Sequence, residues 1–144
     1  PMSPTPPSSA MPHASAPASD WVYKICTPAQ RSVLRENGLW EGSLDDVRDG
    51  FVHLSTAAQV PGTLTKHFAG QGALWLVVVD PGLLPAGVLR WERSRGGALF
   101  PHLYGALSMG VVVGEHQLMA EDGQTPSPPA GLGEGAPEAA VRMV

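Results

Sequence analysis

Cysteine is almost missing from this sequence: of 144 residues only Cys26 carries a thiol. A lone cysteine excludes an internal disulfide and any Cys-rich zinc site. It ends the apolar stretch Trp21-Val22-Tyr23-Lys24-Ile25-Cys26 and reads as a buried strand residue rather than a nucleophile. Charge is scarce too, at 15% of residues against about 25% in an average globular protein. No apolar run approaches the ~18 residues of a membrane helix; the longest, Ala73 to Val79, has the length of a strand. Residues 1–20 have neither the basic start nor the apolar core of a secretory leader. A cytoplasmic chain without membrane contact is the expectation. The spacings His-x-His, His-Glu-x-x-His, Cys-x-x-Cys, Gly-x-Ser-x-Gly, the P-loop and Gly-x-Gly-x-x-Gly are all missing, so no metal and no motif-borne cofactor is assigned.

Proline and charge are unevenly spread. Residues 1–20 hold six prolines, and residues 121–144 hold four prolines, four glycines and four acids against one arginine. Such segments bury too little apolar surface to offset their ordering entropy, so both are expected to be disordered tails. The stretch between them, 21–120, is one domain with eight basic and eight acidic residues. The net charge of −4 therefore lies in the tails. A neutral domain between acidic tails lacks the basic face of a DNA-binding protein.

Within 21–120, Trp21–Cys26 predicts a strand. Thr27-Pro28-Ala29-Gln30 predicts a helix start, with Thr27 as cap, Pro28 in first position and Gln30 closing a capping box; Gly38 ends that helix. Ser43–Asp49 predicts one short helical turn closed by Gly50. Phe51–Ser55 reads as a second strand, with Val52 and Leu54 on one face and Phe51, His53 and Ser55 on the other. A helix follows within Thr56–Ala69, starting late or kinked at Pro61-Gly62. Leu74–Val79 reads as a central strand buried on both faces. Short strands are expected at Val88–Glu92, across Phe100–Gly105 and at Val111–Leu118, with a bulge at Gly114. The order favours an α+β fold, a single domain of mostly antiparallel sheet with two main helices.

Seven polar side chains at strand ends and turns stand out: His53, Ser55, Thr56, Glu92, Arg95, His102 and Tyr104. His53 and Ser55 share one strand face, His102 and Tyr104 another, Arg90 and Glu92 a third. Each has a plain structural account as well. Ser55-Thr56 is a helix cap, Glu92 with Arg90 a surface ion pair, and Arg93 and Arg95 a solvated loop. The sharper account of the arginines is an anion clamp.

Gly50-Phe-Val-His-Leu-Ser-Thr56 and Phe100-Pro-His-Leu-Tyr-Gly105, supported by Tyr23-Lys24-Ile25, His67-Phe68-Ala69-Gly70 and Trp91-Glu92, resemble the small bacterial domain of unknown function 952. The resemblance spans about residues 21–120. It implies a split-sheet, ADP-ribosyltransferase-like fold in which NAD, as substrate, lies across two small sheets. It further implies Glu92 as the catalytic glutamate, Tyr104 stacked on nicotinamide, His53 and His102 on ribose or phosphate or in acid–base work, and Arg95 on the pyrophosphate. Lys24 stands where that fold has Arg or His, and with the Ser55-Thr56 motif that ends the second strand it is implied to bind the ligand; no Glu-x-Glu or Gln-x-Glu pair is present. Three functions stay open: an enzyme acting on NAD or another nucleotide by ADP-ribosyl transfer or glycohydrolysis; a non-catalytic module binding a small ligand or protein; and a phosphotransferase on phosphorylated RNA or nucleotide ends. No protein partner is assigned.

Overall fold

The computed structural model describes residues 16–120, 126–129 and 131–132. The two tail segments expected to be disordered lie mostly outside the described residues. Of the first, Ala18–Asp20 form a 3-10 turn, and the Ala16 amide donates to Asp80. Of the second, Leu132 packs on the domain.

The elements run β1 (Val22–Cys26), α1 (Pro28–Asn37), β2 (Leu39–Trp40), α2 (Leu44–Asp49), β3 (Val52–His53), β4 (Ser55–Thr56), α3 (Val60–His67), β5 (Ala73–Val79), β6 (Leu89–Arg93), β7 (Leu99–Leu103), β8 (Leu107–Ser108) and β9 (Val112–Met119). The fold is α+β and antiparallel throughout. One sheet has the order β4-β1-β5-β9, a second β3-β7-β6, and β2 and β8 form a ribbon. Among the described residues there are three α-helices where two main ones were expected, because the turn capped by Ser43 extends into the six-residue α2.

Local sequence explains most of these starts and stops. Thr27–Gln30, Ser43–Asp46 and Thr56–Gln59 are all complete capping boxes, in which side chain and backbone satisfy each other's orphan groups. Gly38 and Gly50 close α1 and α2 in the left-handed conformation that a residue with a Cβ adopts only under strain. Thr56 caps a 3-10 turn, Ala57–Gln59, and α3 starts after it with Pro61 in its first turn, where a missing N–H costs nothing.

β1 and β5 are buried on both faces. Val22, Cys26, Val77 and Val79 meet Leu34, Trp40, Val52 and Leu103 on one side. Tyr23, Ile25, Leu74, Leu76 and Val78 meet Val60 and Leu64 of α3 on the other. Full burial of one such side chain stabilises by about 1.5–3 kcal/mol. The strand expected over Phe51–Ser55 is divided. Val52 and His53 pair with β7, the Leu54 amide donates to the Pro101 carbonyl, and Ser55 pairs with Tyr23 of the other sheet. This crossing at Leu54 joins the two sheets. The bulge near Gly114 lies one residue earlier, since Gly114 faces Val78 while Val112 faces Val79.

Cys26 is fully buried, and burial pushes its thiol up to about 12. Iodoacetamide at pH 8 is therefore expected to leave the native protein unmodified and to alkylate it quantitatively in urea. Equal labelling in both conditions, read by mass spectrometry, would contradict this placement.

Candidate functional site

The β3–β7–β6 register brings the polar side chains together. His53 pairs with His102 across β3 and β7, and His102 pairs with Arg90 across β7 and β6. Side chains two apart on a strand share a face. Glu92 therefore lies diagonal to His102, and Tyr104 and Phe51 extend the same face. The outcome is a connected cluster. Glu92 Oε1 accepts hydrogen bonds from the Tyr104 hydroxyl and from His102 Nδ1, each at 2.8 Å. Phe51 stacks on the His102 ring at 4.1 Å between centroids and lies 4.6 Å from His53. The two imidazoles meet edge-on at 5.4 Å. The guanidinium of Arg90 covers the Tyr104 ring at 4.5 Å. Hydrogen bonds from His102 and Tyr104 hold the Glu92 carboxyl below the usual glutamate range. Glu92 in turn raises the Tyr104 phenol.

A second network joins this cluster to β1. Lys24 Nζ lies 2.8 Å from Asp46 Oδ2 and donates to the His53 carbonyl at 3.1 Å. Asp46 Oδ1 accepts from His53 Nδ1 at 2.6 Å and from the His53 amide at 3.1 Å. Asp49 Oδ2 stands 3.1 Å from His53 Nε2. Burial would raise the Asp46 carboxyl. The His53 hydrogen bond, the Lys24 charge and hydrogen bond, and the Ser43 amide outweigh it and hold the group well below the usual carboxylate range. Asp49 is lowered as well, chiefly by a hydrogen bond from Arg48. Gly42 makes room for Asp46. Its φ is 108°, and a Cβ there would lie 2.5 Å from the Asp46 Cβ.

These networks border a cleft of about 810 Å³ where the two large sheets meet. Lys24, His53, Ser55 and His102 line it, with Asp46 and Asp49 of α2 and Thr63 and Lys66 of α3. Ser55 and Thr63 share a hydroxyl–hydroxyl hydrogen bond of 3.1 Å. The remaining expected site residues stand elsewhere. Glu92 and Tyr104 are not part of the lining; they stand behind His102. Thr56 is occupied as a cap and borders a smaller hollow beside Trp21 and Trp91. Arg95 falls in the 3-10 turn Arg95–Gly97 between β6 and β7. Arg93 donates to the Gly97 carbonyl at 2.7 Å within that hairpin. Sequence reasoning missed Asp46, Asp49, Phe51 and Thr63. Asp46 does carry a signal, as the third residue after Ser43, but that signal predicts a cap and not a partner for His53. Among the described residues no group of three or more His, Cys, Asp or Glu is placed to hold a metal ion, and no helix is long and apolar enough to cross a membrane.

Comparison with solved structures finds protein CC0527 from Caulobacter crescentus. Its crystal structure is 40% identical and covers 74% of this chain and 93% of that one, with a TM-score of 0.70. Its solution structure is 42% identical, covers 73% and 90%, and has a TM-score of 0.63. No curated protein matches. The family described as "Protein of unknown function (DUF952)" matches residues 25–115, and the chain belongs to that family.

Proposed function

We propose that the cleft binds a nucleotide of the NAD class and that His102, oriented by Glu92, does acid–base work at the bound ribose. The observation that carries this reading is the histidine pair on the cleft wall, each ring with Nδ1 on a carboxylate. A cleft at the junction of two small sheets, as in the ADP-ribosyltransferase-like arrangement, supports it. So does its volume, which suits a ligand of that size.

His102 donates from Nδ1 to Glu92, and Nε2 has no protein partner among the described residues. In its neutral form that nitrogen accepts a proton. The oxygen of a water or an acceptor hydroxyl would bond to the ribose C1′. The bond from C1′ to the nicotinamide nitrogen breaks, and its electron pair leaves with neutral nicotinamide. The attacking oxygen gives its proton to His102 Nε2. Lys24 uses two of its three donors on Asp46 and His53 and has a third for a ligand oxygen.

A second reading, a binding module without turnover, is favoured by one observation: both ring nitrogens of His53 already face carboxylates. Titrating the protein with NAD, ADP-ribose and nicotinamide, while following the histidine ring signals by NMR and nicotinamide release by chromatography, separates the two. Saturable shifts of the His102 signals with release support the enzyme. The same shifts without release support the binding module. No saturable shift with any of the three overturns nucleotide binding here.

A further inference from the structure

We infer that phosphate groups of the ligand are taken on the α3 side of the cleft, by Lys66 together with the Ser55–Thr63 hydroxyl pair. This rests on the nucleotide reading above for the identity of the ligand, but the subsite itself rests on other residues.

α3 is divided lengthwise. Val60 and Leu64 are buried in the core, and Phe68 follows them at the same spacing. Gln59, Gly62, Thr63, Lys66 and His67 recur at three- and four-residue intervals, and all five line the cleft. One helix face is thus core and the other is cleft wall.

The cations of that lining are not equivalent. Lys24 is held by Asp46, and Arg48 by Asp45 and Asp49. Lys66 has no hydrogen-bond or ion-pair partner among the described residues. Its charge is the lysine or arginine charge of the lining left available to an anion. Thr63 sits one turn before it, which places the two side chains side by side. Thr63 and Ser55 spend one hydroxyl hydrogen on each other, so one O–H remains to donate outward. Gly62 adds open space beside them, since a Cβ there would meet nothing within 4 Å.

The α2 side has the opposite character. Asp45, Asp46 and Asp49 stand there against one arginine, Arg48. A ligand with phosphates at one end and a ribose diol or a cationic ring at the other fits this polarity in one direction. The phosphates lie along α3, and the hydroxyl-rich or cationic end lies toward α2 and the histidines.

The test is calorimetric titration of the full chain with NAD, inorganic pyrophosphate and nicotinamide riboside, the last a cationic nucleoside without phosphate. Wild type, Lys66→Ala and Lys66→Arg are compared. Lys66 is exposed, and melting curves check that the variants remain folded. Lys66→Ala is expected to weaken NAD and pyrophosphate about 10- to 100-fold, the loss of one charge-assisted hydrogen bond. It should leave nicotinamide riboside unchanged, and Lys66→Arg should restore most of the phosphate affinity. NAD bound equally well by Lys66→Ala would overturn the subsite and leave the nucleotide reading standing. Pyrophosphate bound and lost in Lys66→Ala, with no binding of NAD, would support the subsite and overturn the nucleotide reading. Binding of neither by wild type would overturn both.

Discussion

Replacing Asp46 with alanine is expected to destabilise the domain by about 3–5 kcal/mol, the usual cost of breaking a buried ion pair on one side. Against a typical total of about 5–15 kcal/mol, that is enough to unfold much of the population at 37 °C. The reason is the number of groups that depend on one carboxylate. The Lys24 side chain is 8% exposed and would be left with a backbone carbonyl as its sole oxygen partner. The His53 amide and Nδ1 would lose their acceptor, and α2 would lose half of its capping box. Urea unfolding measures the loss, and a cost below about 1 kcal/mol would contradict this account. The paired replacement Lys24→Met with Asp46→Leu should recover only the part due to the unpaired Lys24 charge, because the His53 and Ser43 amides still lose their acceptor. The pH dependence has a definite sign. Asp46 is lowered in the folded state, so its contribution is complete at neutral pH. It falls away as the pH drops below about 4, where the unfolded chain takes up the proton first.

Much of the fold was legible because it is written locally. Thr27, Ser43 and Thr56 each announce a helical start through a residue three positions on, and Gly38 and Gly50 mark the ends. The apolar run Leu74–Val79 is continuous because both of its faces are covered. The strand break at Leu54 was not legible. Phe51–Ser55 alternates like one strand, and only the different orientations of the two sheets force it to change partners there. The two-residue strands Leu39–Trp40 and Leu107–Ser108 are too short for any periodicity to show.

The site divides the same way. That His53 and Ser55, or Arg90 and Glu92, share a face follows from a period of two. That His53 lies opposite His102 follows from pairing between segments 49 residues apart, which no local pattern encodes. Asp46 illustrates the limit best. Its capping role accounts fully for its presence three residues after Ser43, and so hides its second role under Lys24 and His53. Glu92 was visible as a lone glutamate on a short strand. Its place behind His102, rather than on the cleft wall, depends on the β6–β7 register, which sets Arg90 opposite His102 and Glu92 diagonal to it.

That placement gives the second large expectation, which rests on the nicotinamide-releasing reading. Glu92→Gln is expected to lower the turnover number about 100- to 10 000-fold while changing KM little, because Glu92 acts through His102 and does not line the cleft. The ionised carboxylate can only accept, so it fixes the Nδ1 hydrogen of His102 and keeps Nε2 as the basic nitrogen. A glutamine can turn its NH₂ toward Nδ1, which moves the ring hydrogen to Nε2 and removes the base. Tyr104→Phe is expected to cost far less, under about tenfold, since it removes one of two hydrogen bonds to Glu92 and leaves the carboxylate on His102. Steady-state nicotinamide release at pH 8 reads both effects. Turnover by Glu92→Gln at the wild-type rate would mean that His102 needs no carboxylate and would remove it from acid–base work.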